Sequence, residues 1–478
     1  MNFRIVTYVL GWALNIEAVS MLLPFLCALV YDEPKKWVFL MCALLCAVIG
    51  IPLVLAGPKN KAMYAKEGFA SVALSWIVIS LFGAIPFVVS GAIPSFVDAL
   101  FETASGFSTT GASILTDVEA LPKSMIFWRS FTHWIGGMGV IVFLVAILPV
   151  AGGNNLHLLK AESPGHSVGK LVPRVGTTAK ILYLIYIGFT VLEIVILLVG
   201  GLDLFEALTL SFGTAGTGGF GITNSGIAGY TPFVQNTITV FMIIFGIDFA
   251  FYYLILMRKI KTAFKLEEVL SYLTIVAVSI ILICFNINHM YGSVWETLRH
   301  SAFQVGSIIT TTGYATTDFN MWPQFSKTIL MLLMFCGACT GSTGGGIKVS
   351  RITLLFKSII KEIKVLTHPK SMVKVKYNGK VLEHETLRGI NVFFVSYMII
   401  YAFVFLIISL DNFDFTTTFT AVAATLSNIG PGFSLVGPMG NFSIFSPLSK
   451  IVLTFAMIVG RLEIFPMIVL LSRKTWKR

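Results

Sequence analysis

The amino-acid sequence predicts an all-α integral membrane protein, and two features of the 478-residue chain indicate this fold class. Hydrophobic residues make up 56% of the chain and charged residues only 12%, whereas soluble globular proteins carry about 25% charged residues. The apolar residues are also gathered into long segments, many of which reach the roughly 20 residues that a membrane-crossing helix needs. A soluble fold is therefore excluded, while transport, signalling and membrane-embedded catalysis remain open.

Ten of these apolar segments are long enough to be transmembrane helices. They lie at residues 5–30, 37–57, 69–90, 125–149, 178–200, 233–256, 268–288, 325–347, 387–409 and 449–471. The first segment has no clear small-residue cleavage site, so we interpret it as a membrane helix and not as a removed signal peptide.

Four further segments are too apolar for ordinary loops and too short to cross a bilayer. These segments lie at residues 97–108, 204–215, 294–309 and 414–427, and a stretch rich in Gly, Thr, Ser or Asn follows each of them. A short apolar helix that enters the membrane and turns back fits both properties. The sequence therefore predicts four re-entrant helices.

The elements recur four times in the same order: long helix, short helix, polar stretch with glycine, long helix. Aligning the polar stretches on one glycine each pairs Gly111, Gly218, Gly313 and Gly430. We predict four tandem helix–pore loop–helix repeats around a central pore with pseudo-fourfold symmetry, preceded by an N-terminal helix pair. The predicted units are residues 1–66 for the helix pair, and 67–160, 161–266, 267–384 and 385–478 for the repeats.

The polar stretches suggest a filter for a dehydrated cation. Irregular backbone at membrane depth is tolerated only where it is buried in protein or lines water. Four such strands around an axis can point carbonyl oxygens inward to replace the hydration shell of a cation, and glycine permits the necessary dihedral angles. The alternative, glycine turns between ordinary helical hairpins, leaves the short helices unexplained. The candidate filter residues are Thr109, Thr110, Gly111, Gly216, Thr217, Gly218, Thr311, Thr312, Gly313, Asn428, Ile429 and Gly430.

The distribution of charge predicts the orientation. Most of the basic excess behind the net charge of +11 falls on the side that holds both chain termini, which is typical of cytoplasmic loops. A nucleic-acid partner is therefore not needed to explain the charge, although anionic lipid or a soluble partner could also use it. On the opposite side, acidic residues near the strands would either attract cations or cap helices, and the sequence does not decide between these roles. They are Asp98, Glu102, Asp117, Glu119, Asp203, Glu206, Glu296, Asp318, Asp411 and Asp414.

A second glycine-rich segment, residues 337–347, interrupts the last helix of the third repeat. Glycine destabilises a helix by up to about 1 kcal/mol relative to alanine, so a broken and mobile segment is expected below the filter. Arg461 is the one basic residue that the sequence places deep in a span, where a charge is costly unless it is paired. Its side chain could bond to carbonyls of residues 341–346, or it could pair with an acid such as Asp248 or Glu193.

With these motifs in hand, the sequence resembles the TrkH/KtrB/HKT superfamily of cation transporters over practically its whole length. The N-terminal helix pair makes TrkH the nearer match within it. The motifs that carry the resemblance are SGFSTTGAS, GTAGTGGFGITNSG, TTTGYATTD, SNIGPGF, HWIGGMGVIVFLVAILP (133–149), CGACTGSTGGGIKVSRI (336–352) and GRLEIFP (460–466).

The resemblance implies a bacterial inner-membrane potassium uptake protein. It implies K+ binding at Thr110, Thr217, Thr312 and Ile429, although Asn428 and Ile429 depart from the threonines found elsewhere. It also implies a homodimer in which each protomer carries its own pore, regulated by a cytoplasmic ring of TrkA-type nucleotide-binding subunits. The implied gate consists of Gly341, Ser342, Thr343, Gly344, Gly345, Gly346 and Arg461.

The sequence also bears on three other roles: coupled symport, catalysis and a cysteine-based redox or metal site. A Na+- or H+-coupled K+ symporter remains the alternative, and Glu17 and Glu193 could be proton or sodium sites or merely protonated structural groups. An enzyme is not expected, because no HExxH, GxSxG or clustered acid/His pattern occurs. A redox or metal role for Cys336 and Cys339 is disfavoured against simple packing.

Overall fold

A computed structural model of the chain describes residues 1–58, 64–147 and 175–476. Within these residues the protein is mostly helical, as predicted. Six helices are long and apolar enough to cross a membrane, or seven if the bent pair Pro232–Phe245 and Phe249–Leu256 forms one span. The helical membrane fold is thus confirmed, whereas the total of ten spans stays a prediction. The predicted boundary at residues 160 and 161 lies outside the described residues.

The described α-helices are numbered here in chain order. They are α1 Phe3–Ser20, α2 Leu22–Val30, α3 Val38–Leu55, α4 Ala65–Ser90, α5 Phe96–Phe107, α6 Lys123–Ile147, α7 Val175–Val199, α8 Leu204–Gly216, α9 Pro232–Phe245, α10 Phe249–Leu256, α11 Ile260–Ala263, α12 Glu267–Ile287, α13 Val294–Ile309, α14 Gln324–Cys336, α15 Val349–Thr367, α16 His384–Ile408, α17 Phe415–Leu426, α18 Pro447–Arg461, α19 Phe465–Leu471 and α20 Arg473–Trp476.

One small sheet interrupts the helical architecture. Strands β1 (Lys376–Tyr377) and β2 (Lys380–Val381) form an antiparallel hairpin between α15 and α16. Lys357 of α15 donates a hydrogen bond to the carbonyl oxygen of Lys376, which ties the hairpin to the helix. The expectation of a purely helical chain therefore missed this hairpin, which is too short to leave an alternating apolar pattern.

The N-terminal helix pair packs against the first repeat. The helices α1 and α3 approach each other closely because glycines face one another: a Cβ on Gly11 would lie only 2.8 Å from the carbonyl oxygen of Gly50. Small residues permit this kind of backbone approach between membrane helices. The pair is thus a part of the same packed unit as the pore repeats.

The four short helices α5, α8, α13 and α17 lie within two residues of the predicted segments. Each begins with a residue whose side chain accepts a hydrogen bond from the third amide of the helix, a standard N-cap. The four caps are Ser95, Asp203, Ser293 and Asp414. The side of the protein on which these caps lie is called the cap face below, and the opposite side is called the loop face.

Two predicted spans are broken in ways that the sequence did not reveal. The span at 233–256 bends by 88° between α9 and α10, where Asp248 caps the second piece by accepting a hydrogen bond from the amide of Ala250. The span at 449–471 is interrupted after Arg461, since Glu463 and Ile464 both have left-handed φ angles, of 56° and 69°. The predicted interruption of the span at 325–347 is present, because α14 ends at Cys336.

Candidate functional site

The four short helices all end in the same hydrogen-bonded turn. The residue after the last helical turn is left-handed in every case, with φ between 54° and 58°. The amide of the next residue then donates to the carbonyl oxygen five positions back, at 2.8–2.9 Å. The left-handed residues are Thr109, Thr217, Thr311 and Asn428, and the donors that follow them are Thr110, Gly218, Thr312 and Ile429. Because the same turn occurs four times, residues at the same position in the turn can be treated as equivalent in the four segments.

This alignment shifts the second segment by one residue relative to the sequence prediction. Two positions after each left-handed residue stands a glycine with positive φ, and in the second segment that glycine is Gly219, with φ of 74°. Gly218 instead corresponds to Thr110, the residue between the left-handed residue and the glycine of the first segment. Thr217 corresponds to the left-handed Thr109. The ion contact at Thr217 stays a prediction, while by this alignment Gly218 takes the place that Thr110, Thr312 and Ile429 hold in the other segments. The predicted Gly216 is the last residue of α8. Because this segment contains several glycines close together, spacing along the sequence alone does not show which of them aligns with Gly111.

The four glycines meet the neighbouring segments in cyclic order. A Cβ on Gly111 would lie 1.9 Å from the carbonyl oxygen of Gly218, and one on Gly219 would lie 1.8 Å from that of Thr312. In the same way, a Cβ on Gly313 would lie 2.1 Å from the carbonyl oxygen of Ile429. A Cβ on Gly430 would lie 2.7 Å from the carbonyl oxygen of Thr110, which closes the cycle. Only glycine fits at these positions, because a side chain would overlap a neighbouring backbone oxygen. The four glycine segments, residues 109–112, 217–220, 311–314 and 428–431, thus surround one axis.

On the cap face, the backbone that follows the four glycines lines a cavity of about 200 Å³. Its walls are mostly backbone and small polar side chains, and Arg129 is the only charged residue among the described residues that line it. A ring of carbonyl oxygens below a polar opening can bind a cation that has lost its water, since the oxygens replace the hydration shell.

A buried ion pair supports the first two glycine segments from behind. Arg129 Nε lies 2.7 Å from Glu102 Oε1, and their side chains are 2% and 0% exposed. Glu102 also accepts hydrogen bonds from Ser113 and from the amide of Ile114, while Arg129 donates to the carbonyl oxygen of Gly221. The pair therefore joins both segments. Its two partners are 27 residues apart, and no local sequence pattern indicates that they pair.

His133 forms a second brace between the first two repeats. Its Nδ1 lies 2.8 Å from the carbonyl oxygen of Gly106, and its Nε2 accepts a hydrogen bond from the amide of Phe220 at 3.3 Å. These partners assign the proton to Nδ1 of a neutral imidazole. The histidine thus connects the end of α5 to the second glycine segment.

The acidic residues near the segments act mostly as caps and buried partners, and not as a ring of free charge. Asp203 and Asp414 cap short helices, and Asp98 pairs with Lys450 at 2.6 Å. Glu102 is buried in the ion pair described above. Asp117 lies at the cap face, where the side chain of Asn224 donates to it and holds the pKa of its carboxyl below the ordinary value. Of the two roles left open by the sequence, helix capping fits Asp203 and Asp414.

The glycine-rich loop between α14 and α15 lies directly against the loop-face end of the glycine segments. The amide of Gly345 donates to Thr311 Oγ1 at 2.7 Å. Cβ atoms on Gly344 and Gly345 would lie 2.8 Å and 2.5 Å from the carbonyl oxygens of Thr310 and Ser427. The loop can approach the backbone of two repeats this closely only because it lacks side chains at these positions.

Among the described residues, the hydrogen-bond partners of Arg461 are carbonyl groups and not acids. Its Nη1 donates to the carbonyl oxygen of Thr343 at 2.7 Å, and its Nη2 donates to that of Gly136 at 2.9 Å. Of the two uses considered for this arginine, the geometry therefore favours the contact with the glycine-rich loop. Glu193 is fully buried and makes no ion pair with a described residue.

Further contacts hold both ends of the loop. Lys348 Nζ donates to the carbonyl oxygen of Gly344 at 2.6 Å. Arg351 donates to the carbonyl oxygen of Ile347 at 3.2 Å and forms an ion pair with Glu463, the left-handed residue at the break after α18. At the other end, Glu268 accepts a hydrogen bond from the amide of Thr340. The loop is thus connected to α12, α15 and the break between α18 and α19.

The remaining candidate groups form no separate site in the described part of the chain. All six cysteines are free. No group of three or more His, Cys, Asp or Glu side chains in residues 1–58, 64–147 and 175–476 is arranged to hold a metal ion. Glu17 is buried, and neither of its carboxylate oxygens has a hydrogen-bond partner in these ranges.

Comparison with known proteins identifies close relatives along the whole chain. A family model described as TrkH, cation transport protein, matches residues 35–294 and 290–478. The chain is 35% identical over 486 residues to the Trk system potassium uptake protein TrkH of Escherichia coli K12, with full coverage of both proteins. It is 33% identical to TrkG of the same strain, covering 100% of this chain and 99% of TrkG. The crystal structure of the potassium transporter TrkH from Vibrio parahaemolyticus matches with a TM-score of 0.90, at 32% identity and full coverage of both chains.

Proposed function

The chain belongs to the TrkH family of cation transport proteins, and we propose that it takes up potassium through a pore whose filter is the ring of four glycine segments. The relatives that it resembles are named as potassium uptake proteins and a potassium transporter. As a membrane transporter of this family it is not an enzyme. The proposal concerns the ion, the residues that bind it and the way in which passage is controlled.

The observation that carries the proposal is the closed cycle of glycine and carbonyl contacts. Carbonyl oxygens of Thr110, Gly218, Thr312 and Ile429 each face a glycine of the adjacent segment, so they belong to one level of the pore. Four equivalent oxygens at one level offer a monovalent cation a ring of neutral ligands. The short helices also direct their C-terminal, negative ends toward this ring, which favours a cation there. A neutral ring suits repeated binding and release, which transport requires.

The fourth segment departs from the others in its side chains but keeps their backbone geometry. Asn428 has the same left-handed conformation as the threonines, and its side-chain amide donates to Thr110 Oγ1 at 2.9 Å and to the carbonyl oxygen of Met457 at 2.8 Å. Asparagine tolerates this conformation better than most residues. The main-chain oxygens of this segment can therefore serve as ligands although Asn428 and Ile429 replace threonines.

The glycine-rich loop with Arg461 is the gate in this proposal. The loop lies against Thr310, Thr311 and Ser427 on the loop-face side of the filter, where it would obstruct an ion that leaves the ring. Arg461 holds the loop through Thr343 and places a positive charge beside the pathway. Opening requires that the loop move away, which its glycines permit.

The protein is proposed to act in the bacterial inner membrane with both termini and the loop face in the cytoplasm. The basic loops on that side support this orientation. A homodimer with one pore in each protomer, controlled by a TrkA-type nucleotide-binding ring at the loop face, is the assembly that the family membership suggests. The alternative is a Na+- or H+-coupled K+ symporter, in which Glu17 or Glu193 would bind the coupling ion.

Cation flux into liposomes tests the proposed function. Purified protein in potassium-free vesicles should carry K+ or Rb+ down a gradient, with saturation and without any requirement for a Na+ or H+ gradient. Strict dependence on one of these gradients would favour the symporter instead. If neither cation moves under any gradient in wild type or in the Arg461→Ala variant, whose gate is weakened, while both proteins remain folded, the proposal is wrong.

A further inference from the structure

The pseudo-fourfold arrangement has a gap at one of four equivalent places. In three cases the second long helix of a repeat packs closely against the next short helix: α6 against α8, α9 against α13, and α18 against α5. At the fourth place, α14 barely touches α17. A cavity of about 440 Å³ separates these two helices. We call it the α14–α17 groove.

One face of each helix lines this groove. Lys327, Thr328 and Met331 lie three and four residues apart on α14, so they share a face. Phe415 and Phe419 lie four residues apart on α17 and face them. Both helices start at the cap face, where Gln324, Lys327 and Asp414 make the groove polar. Met331 and Phe419 lie further along the helices and make its deeper part more apolar.

The groove opens at the outer surface of the chain and closes at its base. Leu332 and Phe415, which flank it, are 66% and 69% exposed in the isolated chain, so this part of the surface faces outward. Below Met331 the helices come together, since the rings of Phe335 and Phe419 lie 6.2 Å apart. From Lys327 to Phe335 the groove is about 12 Å deep, at about 1.5 Å per residue. One leaflet of hydrocarbon is about 15 Å thick, so the groove lies within a single leaflet.

The rim of the groove carries one charge of each sign. Lys327 uses only part of its donor capacity, in a hydrogen bond to the carbonyl oxygen of Asn320 at 3.3 Å. Asp414 lies at the start of α17, on the other side of the groove. A head group with both a phosphate and an ammonium group complements this pair of charges, whereas a purely anionic head group would be repelled by Asp414.

We propose that the α14–α17 groove binds one phospholipid from the leaflet at the cap face, with a zwitterionic head group. The phosphate lies at Lys327, the ammonium group lies at Asp414, and one acyl chain runs between Met331 and Phe419. The acyl chain replaces the helix contact that the other three places make directly. The side chains of Met331, Phe419 and Phe433 supply an apolar wall against which an acyl chain can pack.

The bound lipid would lie beside the fourth glycine segment. Phe433 and Thr420 both line the groove, and the amide of Phe433 donates to Thr420 Oγ1 at 2.8 Å. A Cβ on Gly432 would lie 2.7 Å from the same hydroxyl oxygen, so the chain after the filter packs directly on α17. Lipid in the groove therefore supports the segment whose side chains depart from the repeat. Any effect on ion flux rests on the proposed function, whereas binding itself does not.

Native mass spectrometry of the full chain tests the binding. The protein is purified in mild detergent and exposed to equal amounts of phosphatidylethanolamine and phosphatidylglycerol. Met331→Trp fills the groove, and Leu332→Trp places the same side chain on the neighbouring exposed position as the matched control. Wild type and Leu332→Trp should retain one phosphatidylethanolamine per chain, and Met331→Trp should bind it about tenfold more weakly. Thr328→Trp, also in the groove, serves as a second test if Met331→Trp does not fold.

Three outcomes would overturn the proposal. The first is equal lipid retention by folded Met331→Trp or Thr328→Trp and by Leu332→Trp. The second is a change in the number of chains per particle without a loss of lipid, which would mean that a second copy covers the groove. The third concerns Asp414→Asn, which keeps a cap oxygen but loses the charge: it should abolish the preference for phosphatidylethanolamine, and an unchanged preference would refute the head-group assignment. Transport assays are not needed for any of these results.

Discussion

The carbonyl oxygen of Thr312 occupies the space beside Gly219 in which a side chain would begin, since a Cβ on that glycine would lie 1.8 Å from it. The same relationship joins each glycine segment to the next around the axis. It explains why four separate parts of the chain each need a glycine at one level, and it places four main-chain oxygens around a common centre. The proposed selectivity for a dehydrated ion depends on this arrangement.

Gly219→Ala should therefore impair the filter more than a substitution at a neighbouring glycine. The new Cβ would meet the Thr312 oxygen, and a left-handed φ costs a residue with a side chain about 1–2 kcal/mol. We expect K+ flux into liposomes to fall about tenfold or more. Gly221→Ala is the matched control, because its Cβ would meet nothing closer than the Thr223 oxygen at 3.4 Å. Equal flux in both variants would show that Gly219 is not the glycine that aligns with Gly111, Gly313 and Gly430.

Arg461→Ala should increase K+ flux in the absence of any regulatory partner. The substitution removes the hydrogen bonds to Thr343 and Gly136, and it removes a positive charge next to the pathway. Charge-assisted hydrogen bonds of this type contribute about 1.5–3 kcal/mol each, so the closed position of the loop should become much less populated. Flux assays on reconstituted protein measure the effect. If the variant folds normally and its flux does not increase, Arg461 does not hold the glycine-rich loop in the closed position.

Glu102→Ala should strongly destabilise the protein. Removing one partner of a buried ion pair leaves an uncompensated charge and costs about 3–5 kcal/mol. The exposed pair of Lys36 and Asp32 offers a control, because Lys36→Ala should cost at most about 1 kcal/mol. Thermal unfolding in one detergent compares the two variants. Similar unfolding temperatures for them would mean that the Arg129–Glu102 pair does not brace the glycine segments.

External pH should have little influence on K+ affinity between about pH 8 and about pH 5. The hydrogen bond from Asn224 lowers the pKa of Asp117 below the ordinary 3.8, so this carboxyl stays ionised over the whole range. A carboxyl with a lowered pKa loses its charge only as the pH falls through that lowered value. Half-saturation by K+ measured at both pH values tests this. A several-fold change would indicate proton binding at another group and would favour the symporter.

The sequence predicted the four short helices well because each is defined locally, by an N-cap residue, an apolar stretch and a glycine. It also predicted the interruption after α14, since so many glycines in one segment cannot favour a helix. The breaks after Phe245 and Arg461 were missed, because the few charged residues beside them, Asp248, Arg461 and Glu463, stand in long segments that are otherwise apolar. Composition alone does not distinguish a straight helix from one that is bent by its neighbours.

The register of the second glycine segment could not be predicted from the sequence. The second segment contains several adjacent glycines, and only the backbone conformation shows that Gly219 has the structural role. The braces formed by Arg129 and His133 were missed for a related reason. Each connects groups that are far apart in sequence, such as His133 and Phe220, and pairwise contacts of this kind cannot be derived from a single chain without its fold.

The most direct test of the account is the position of bound ions in crystals of the protein grown with Rb+, located by anomalous scattering. The account predicts a peak on the axis, at equal distances from the carbonyl oxygens of Thr110, Gly218, Thr312 and Ile429. A peak bound instead by a carboxylate such as that of Glu193, with no density between the four glycine segments, would contradict it.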